Sequence, residues 1–198
     1  MEPCICGMTV RPEIEYKVHG GRIRREYVGD LVLESGAIAG FDPICIFDVE
    51  PFDVPVPSGK FQVFVWIAET ETEAVCAGAY VAFGDLAKIS KWEPAVGKWK
   101  PPGRQSEYGV DSGYGGFADN LASNVIEELS MRERSQFNHS ISASRYGSLE
   151  VPGTGLNVVY FASGRGDGSY KTYIGLGEDS GNPGCILTDF RILQSIPL

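Results

Sequence analysis

Apolar and polar residues alternate along much of the chain, and this pattern predicts a mainly β protein. The clearest strand covers residues 61–68, where apolar side chains occupy every second position and Phe64 and Trp66 cover the other face. Residues 74–83 form a second apolar run after an acidic loop, so the two segments predict a β-hairpin. Shorter strands are predicted over residues 22–28, 31–33, 108–111, 156–162, 170–174 and 185–193.

One segment has helical rather than strand periodicity. Apolar residues recur at intervals of about three and four over residues 118–132, which predicts an amphipathic helix. The serine-rich residues 137–152 lack periodicity and are predicted to form a loop, and short glycine turns between the last three strands favour an antiparallel meander. The predicted fold is therefore mainly β (α+β), an antiparallel sandwich or strongly curved sheet with one principal helix near residues 118–132.

Length and charge limit the organisation and the partners of the protein. The 198 residues are predicted to form a single domain, in which residues 1–12 are a loose N-terminal lead-in. The formal net charge of -9 argues against nucleic acid or an anionic membrane surface as a partner, since both bind basic surfaces. The charge is compatible with a protein, a small molecule or a cation as the partner.

The cysteines and the N-terminus predict a cytoplasmic protein. Five cysteines, an odd number, indicate free thiols in a reducing compartment, and the first residues lack the pattern of a signal peptide. Cys45 and Cys76 lie in apolar runs and are interpreted as small core residues. Cys4 and Cys6 form a C-x-C pair, but no second pair at zinc-ligand spacing follows, so structural zinc is not favoured.

Two glycine-rich loops carry most of the candidate chemistry. In the first loop, Asp111 ends a short strand, a glycine-rich turn follows, and Asp119 begins the predicted helix. The second loop covers residues 163–168 and places Asp167 in a tight turn between glycines. Glycine permits positive φ and lets the backbone approach a ligand closely. The two loops are therefore predicted to form one polar site on the β scaffold.

Convergence of the loop aspartates would create a site for a hard cation. If the strands before the two loops are neighbours, Asp111, Asp119 and Asp167 lie together, with Asp189 on the last strand as a fourth candidate. Calcium and magnesium bind carboxylate oxygens, and such a cluster also suits acid–base chemistry when one carboxyl has a raised pKa. Turn chemistry alone is the competing interpretation, because aspartates in glycine turns bond their own backbone and Asp119 suits a helix N-cap.

Aromatic side chains flank both loops. Tyr108, Tyr114 and Tyr170 are candidates to line a pocket for a sugar or another flat ligand, beside the four aspartates. Packing in the core is the alternative role for these rings.

Several motifs lie from Leu31 onward. They are Leu33-Glu34-Ser35-Gly36, Asp42-Pro43, Pro57-Ser58-Gly59-Lys60-Phe61, Tyr108-Gly109-Val110-Asp111-Ser112-Gly113, Phe117-Ala118-Asp119, Ser163-Gly164-Arg165-Gly166-Asp167-Gly168-Ser169-Tyr170 and Thr188-Asp189-Phe190. In these motifs the chain resembles the bacterial domain-of-unknown-function 4241 family. The resemblance implies a stand-alone soluble domain and implies no mechanism.

The sequence favours a non-enzymatic module that binds a protein or a small ligand at its Gly/Asp-rich loops. The alternative is a metal-dependent hydrolase that uses Asp111, Asp119 and Asp167, with calcium or magnesium as its cofactor. A third hypothesis is an interaction protein without a small-molecule site.

Overall fold

The computed structural model describes residues 4–9, 16–18, 21–99, 107–177 and 183–192. Within these residues the chain forms two antiparallel sheets with a few short helices, which confirms the mainly β, sandwich-like prediction. The helices are α1 (Cys4–Thr9), α2 (Asn120–Glu128) and α3 (Met131–Ser142), and one 3-10 turn covers Leu86–Lys88. The strands are β1 (Tyr16–Val18), β2 (Gly21–Leu33), β3 (Ile38–Phe41), β4 (Gly59–Thr70), β5 (Ala74–Ala82), β6 (Ile89–Pro94), β7 (Glu107–Val110), β8 (Tyr114–Asp119), β9 (Tyr146–Glu150), β10 (Asn157–Ala162), β11 (Gly168–Gly177) and β12 (Pro183–Asp189).

The larger sheet follows the order β1-β2-β4-β5-β12-β11-β6, and β7 also pairs with β11. Strands β4 and β5 form the predicted hairpin. Strand β2 is continuous over 13 residues, so the predicted turn that divides it near Gly29 is wrong. The pairing of β2 with β4 shifts register between Tyr27 and Gly29 and continues on both sides. A β-bulge therefore lies where the turn was predicted.

The smaller sheet follows the order β3-β8-β10-β9. The predicted meander of the last three strands is wrong at β10, which pairs with β8 and β9 instead of β11. The turn between β10 and β11 contains Gly164 and Gly166 at positive φ, and it leads the chain from the smaller sheet to the larger one. Strands β11 and β12 are antiparallel neighbours, as predicted.

The two sheets pack face to face around a common core. Val159 and Phe161 of β10 belong to the same buried cluster as Val65 of β4. The side chain of Asn157 joins the sheets at their edge: its Oδ1 accepts the Val32 N–H at 2.8 Å, and its Nδ2 donates to the Asp30 carbonyl at 2.7 Å. This packing fixes the loops at the ends of β7, β8, β10 and β11.

Two helices cover the smaller sheet where the sequence predicts one. Helix α2 ends at Glu128, and extended backbone at Leu129 separates it from α3. Helix α3 starts at a capping box, in which Ser130 and Glu133 bond to each other's backbone N–H groups. The loop prediction for residues 137–152 is therefore wrong, since α3 and β9 occupy much of this segment.

The N-terminal segment includes a packed helix. Ile5 and Cys6 of α1 are buried, and Trp66 Nε1 donates to Thr9 Oγ1 at 3.1 Å. A Cβ at Gly78 would lie 2.2 Å from Ile5 Cδ1, so only glycine lets the helix approach β5 this closely. Ile5, Cys6 and Thr9 of α1 are thus packed rather than loose. In the described part of the chain, no helix has both the length and the apolar character to cross a membrane.

Candidate functional site

The two glycine-rich loops lie side by side. Val110 of β7 pairs with Gly168 of β11, and the Ser163 N–H donates to the Gly113 carbonyl at 2.9 Å. Gly113 has a φ of 77°, a conformation that glycine adopts without a Cβ penalty. The structure therefore brings Asp111 and the second loop to the same end of the sandwich.

Asp42 connects the first glycine-rich loop to the segment after β3. Its buried carboxylate accepts hydrogen bonds from the backbone N–H groups of Ile44 and Cys45, at 2.9 and 2.8 Å. It also accepts from the N–H groups of Asp111 and Ser112, at 2.9 and 2.8 Å, and from Ser112 Oγ at 2.7 Å. Sequence reasoning missed this role and interpreted Asp42-Pro43 only as a break in a strand.

Three carboxylates raise the pKa of one exposed thiol, that of Cys45. Burial raises the pKa of Cys45, and the negative charges of Asp42, Asp111 and Asp167 raise it further. Asp111 and Asp167 directly flank the cross-strand pair Val110 and Gly168, so both belong to the same end of β7 and β11. Cys45 is exposed, so its interpretation as a core residue is wrong, whereas Cys76 is buried. A raised pKa keeps the Cys45 thiol protonated and disfavours its use as a nucleophile.

Asp119 lies apart from the other loop aspartates. It ends β8, whose first residue is Tyr114, so about 17 Å of strand separates it from the glycine turn. Its Oδ1 accepts the Leu121 N–H at 2.8 Å and caps α2, while Oδ2 accepts the N–H groups of Glu34 and Ser35 at 2.7 and 2.8 Å. The structure therefore does not bring Asp119 together with Asp111 and Asp167.

The three loop aspartates do not come together to form the predicted cation site. Within the described ranges, no group of three or more His, Cys, Asp or Glu side chains is arranged to hold a metal ion. The divalent cation and the hydrolase that would use it stay predictions. The Cys4 side chain lies outside the described structure, so the prediction that the C-x-C pair does not hold structural zinc is not tested.

The candidate tyrosines mainly support the core. Tyr108 and Tyr170 are cross-strand partners and are buried, and burial raises the pKa of both hydroxyls. The Tyr170 hydroxyl lies 2.7 Å from the Gly166 carbonyl and 3.1 Å from the Ser163 carbonyl, so it supports the second loop. Tyr114 packs edge-on against Tyr160.

An acidic cavity lies beside the Asp42 segment. Its volume is about 260 Å³, and it lies between residues 40–50 and residues 107–109. Among the described residues that line it, the charged side chains are all carboxylates: Asp42, Asp48, Glu50 and Glu107. Asp48 has a φ of 49°, a left-handed conformation that aspartate tolerates better than most residues.

Two exposed aromatic residues accompany the acidic cavity. Phe47 lines it and is 88% exposed. Trp99 is 65% exposed, and its backbone N–H donates to Glu50 Oε1 in the cavity wall. Aromatic side chains of this kind are enriched at the energetic centres of protein interfaces.

A second cavity of about 280 Å³ lies beside β11 and β12. It is lined by Lys171, Tyr173, Asp189 and Arg191. Asp189, a predicted site residue, is buried here, and its Oδ1 accepts the Arg191 N–H at 2.7 Å. Burial raises the pKa of Asp189, although Arg191 opposes this effect. Asp189 therefore lines a cavity whose described lining includes neither Asp111 nor Asp167.

Comparison with known proteins gives a family and no function. Residues 31–188 match the model of a family described as a protein of unknown function, DUF4241. No curated protein and no solved structure matches the chain.

Proposed function

The chain belongs to the DUF4241 family, and we propose that it is a non-enzymatic binding module whose acidic cavity accepts a lysine or arginine side chain of a protein partner. The observation that carries this proposal is the cavity of about 260 Å³, in which the charged residues of the described lining are all carboxylates. A cationic side chain is the natural complement of such a lining.

The arrangement of the carboxylates supports this occupant. Asp42 is already bonded to the loop backbone, so the negative charge offered to a ligand comes from the other carboxylates of the described lining, mainly Asp48 and Glu50. Glu107 contributes less, because it also faces Lys171 and Arg191. Arginine matches carboxylates with a planar fork of donors, and lysine offers a compact charge with three donors. A neutral or anionic ligand would not complement this acidic lining.

The exposed aromatic residues support a protein partner over a small cation. Phe47 and Trp99 lie beside Glu50 and present rings at the surface. Aromatic residues are enriched at the energetic centres of protein interfaces, and they also attract cations through their π faces. An interface with a charged pocket beside two rings would therefore bind a basic side chain and the apolar residues next to it.

The net charge of the protein also favours a basic protein partner. A net charge of -9 attracts basic proteins over several ångströms and repels nucleic acid. This attraction increases the association rate more than the final affinity, and it weakens as salt screens the charges.

Calorimetric titration with an acetylated octapeptide of alternating arginine and alanine tests the proposal. The same peptide with glutamate in place of arginine is the probe control. We expect saturable binding of the arginine peptide alone and loss of at least about tenfold in affinity in the double variant Asp48→Asn/Glu50→Gln. Asparagine tolerates the left-handed conformation of residue 48, so the loop geometry is retained.

Matched variants separate the cavity from general surface charge. Glu71→Gln removes an exposed carboxylate from the loop between β4 and β5, and Met131→Ala removes an apolar side chain that is 91% exposed on α3. Both should bind the arginine peptide like the unmodified protein, whereas Phe47→Ala should weaken binding. Equal loss in Glu71→Gln and in the double variant would contradict the proposal, because it would indicate non-specific attraction.

A cytoplasmic location fits the cysteines. Among the described residues, Cys6, Cys45, Cys76 and Cys185 carry free thiols, which suits a reducing compartment. Cell fractionation with an antibody to the protein would test this location.

A further inference from the structure

The second cavity brings two cationic side chains together in an acidic protein. Lys171 and Tyr173 lie two residues apart on β11 and therefore face the same side of the larger sheet. Lys171 is the direct cross-strand partner of Asp189 on β12, and Arg191 follows that strand. Among the described residues these four line the cavity of about 280 Å³, which gives it two cationic groups and one carboxylate, and the Glu107 carboxylate faces both cations.

The two cationic groups retain their hydrogen-bonding capacity. Lys171 Nζ lies 3.6 Å and Arg191 Nη2 lies 3.8 Å from Glu107 Oε1, which are ion-pair distances too long for good hydrogen bonds. The other oxygen of Glu107 accepts from Ser169 Oγ at 3.1 Å. Within the described structure, neither the Lys171 nor the Arg191 side chain donates a hydrogen bond, so the donors of both groups can serve a ligand.

The backbone fixes the position of Arg191. This residue has a φ of 59°, and its N–H donates to Asp189 Oδ1 at 2.7 Å. The adjacent Phe190 is buried and its N–H donates to the Ala77 carbonyl at 3.1 Å, while Ile192 is also buried. Arg191 is therefore held between two anchored residues, which reduces the entropy cost of binding through its guanidinium.

We propose that this cavity binds an oxyanion, a phosphate or a carboxylate group, between Lys171 and Arg191. Arginine binds both groups through two parallel N–H bonds, and lysine adds a point charge from the neighbouring strand. A volume just below the usual range of about 300–1,000 Å³ for small-molecule sites suits a small anion or the charged end of a larger molecule. Glu107 lies between the two cavities, because it lines the acidic cavity and its Oε1 also faces Lys171 and Arg191. The second cavity would take a ligand of opposite charge.

Nuclear magnetic resonance titration with sodium phosphate and with sodium succinate tests the site. Each titration is compared with sodium chloride at the same ionic strength, so that general screening is subtracted. We expect saturable shifts at the amides of Lys171 and Arg191 for at least one probe. A response to phosphate alone assigns a phosphate ligand, and a response to succinate alone assigns a carboxylate ligand.

Three variants establish whether the two cationic groups hold the anion. Lys171→Gln, and its double variant with Arg191→Asn, should reduce the affinity at least about tenfold, because asparagine keeps the left-handed turn without the charge. Lys60→Gln on β4 removes an exposed charge elsewhere and should leave binding unchanged. The proposal is overturned if neither probe gives a saturable response, or if Lys171→Gln binds both probes like the unmodified protein.

Discussion

The carboxylate of Asp42 accepts two hydrogen bonds from Ser112, one from its N–H at 2.8 Å and one from its Oγ at 2.7 Å. These residues lie 70 positions apart in the chain, so the contact joins the segment after β3 to the glycine turn after β7. Both segments contribute to the acidic end of the sandwich: residues 40–50 line the acidic cavity, and the turn carries Asp111. The shape of the cavity therefore depends on a carboxylate that is itself saturated with hydrogen bonds.

Replacement of Asp42 should destabilise the protein. In Asp42→Asn the amide presents donors to backbone N–H groups that need acceptors, and we expect a loss of at least about 2 kcal/mol in the free energy of unfolding. Urea denaturation measures this loss. Asp53→Asn, at an exposed position in the same connection, should change stability by less than about 0.5 kcal/mol. Equal stability of the two variants would show that the Asp42 bonds contribute little.

Asp119 should stabilise the fold by accepting backbone hydrogen bonds rather than by binding a ligand. In Asp119→Asn the oxygen that accepts the N–H groups of Glu34 and Ser35 is lost, so we expect a cost of about 2 kcal/mol and faster hydrogen exchange at those two amides. Ser130→Ala removes the exposed cap of α3 and should cost about 1 kcal/mol. Unchanged exchange at Glu34 and Ser35 would contradict this role.

The strand pattern predicted the sandwich better than its connections. The hairpin of β4 and β5 was predictable because alternation and a polar loop are local signals. The turn signal at Gly29-Asp30 was misleading, since pairing of β2 with β4 continues through a bulge. Helix α3 offers few apolar residues, mainly Phe137 and Ile141, so its periodicity is weak, although the Ser130–Glu133 capping box was present in the sequence.

The candidate site was predictable only in part, because its contacts join distant segments. Two neighbouring glycine-rich loops followed from their local sequence. The role of Asp42 did not, since its partner Asp111 is 69 residues away. Asp119 illustrates the opposite case: its helix-capping role was a local alternative already visible in the sequence, and the N-cap contact with Leu121 confirms it.

The hydroxyl of Tyr170 should contribute to stability, whereas that of Tyr114 should not. Tyr170→Phe removes the donor to the Gly166 and Ser163 carbonyls inside the core, and we expect a cost of about 1 to 2 kcal/mol. The Tyr114 hydroxyl has no hydrogen bond in the described residues, so Tyr114→Phe is the matched control. Thermal unfolding of both variants measures the difference, and a larger effect in Tyr114→Phe would overturn this assignment.

The buried carboxyl of Asp189 should make stability fall as the pH rises. Its pKa is raised in the folded protein by burial, so between the unfolded value of about 3.9 and the folded value the native state binds more protons than the unfolded state. Among the described residues, Lys171, Tyr173 and Arg191 line the same cavity as Asp189, and Glu107 pairs with Lys171 and Arg191. We therefore expect Asp189→Asn to gain stability relative to the unmodified protein as the pH rises through this window.

Urea denaturation at a series of pH values from acidic to neutral tests the Asp189 prediction. In Asp189→Asn the side-chain amide oxygen still accepts the Arg191 N–H, so the turn is retained while the titration is removed. A difference in stability that stays constant with pH would show that burial does not penalise the charged form.

Divalent cations should bind weakly at the glycine-rich loops. The sequence predicts a site at Asp111, Asp119 and Asp167, but Asp119 caps α2 at the other end of β8, which leaves two exposed carboxylates. Calcium takes about six to eight oxygen ligands, so we expect a dissociation constant above about 1 mM and a stabilisation below about 0.4 kcal/mol at that concentration. Thermal unfolding with calcium or magnesium, against a chelator-treated control, measures it. A saturable stabilisation near 2.7 kcal/mol at about hundredfold saturation, abolished in Asp111→Asn and in Asp167→Asn, would instead establish a metal site and revive the hydrolase alternative.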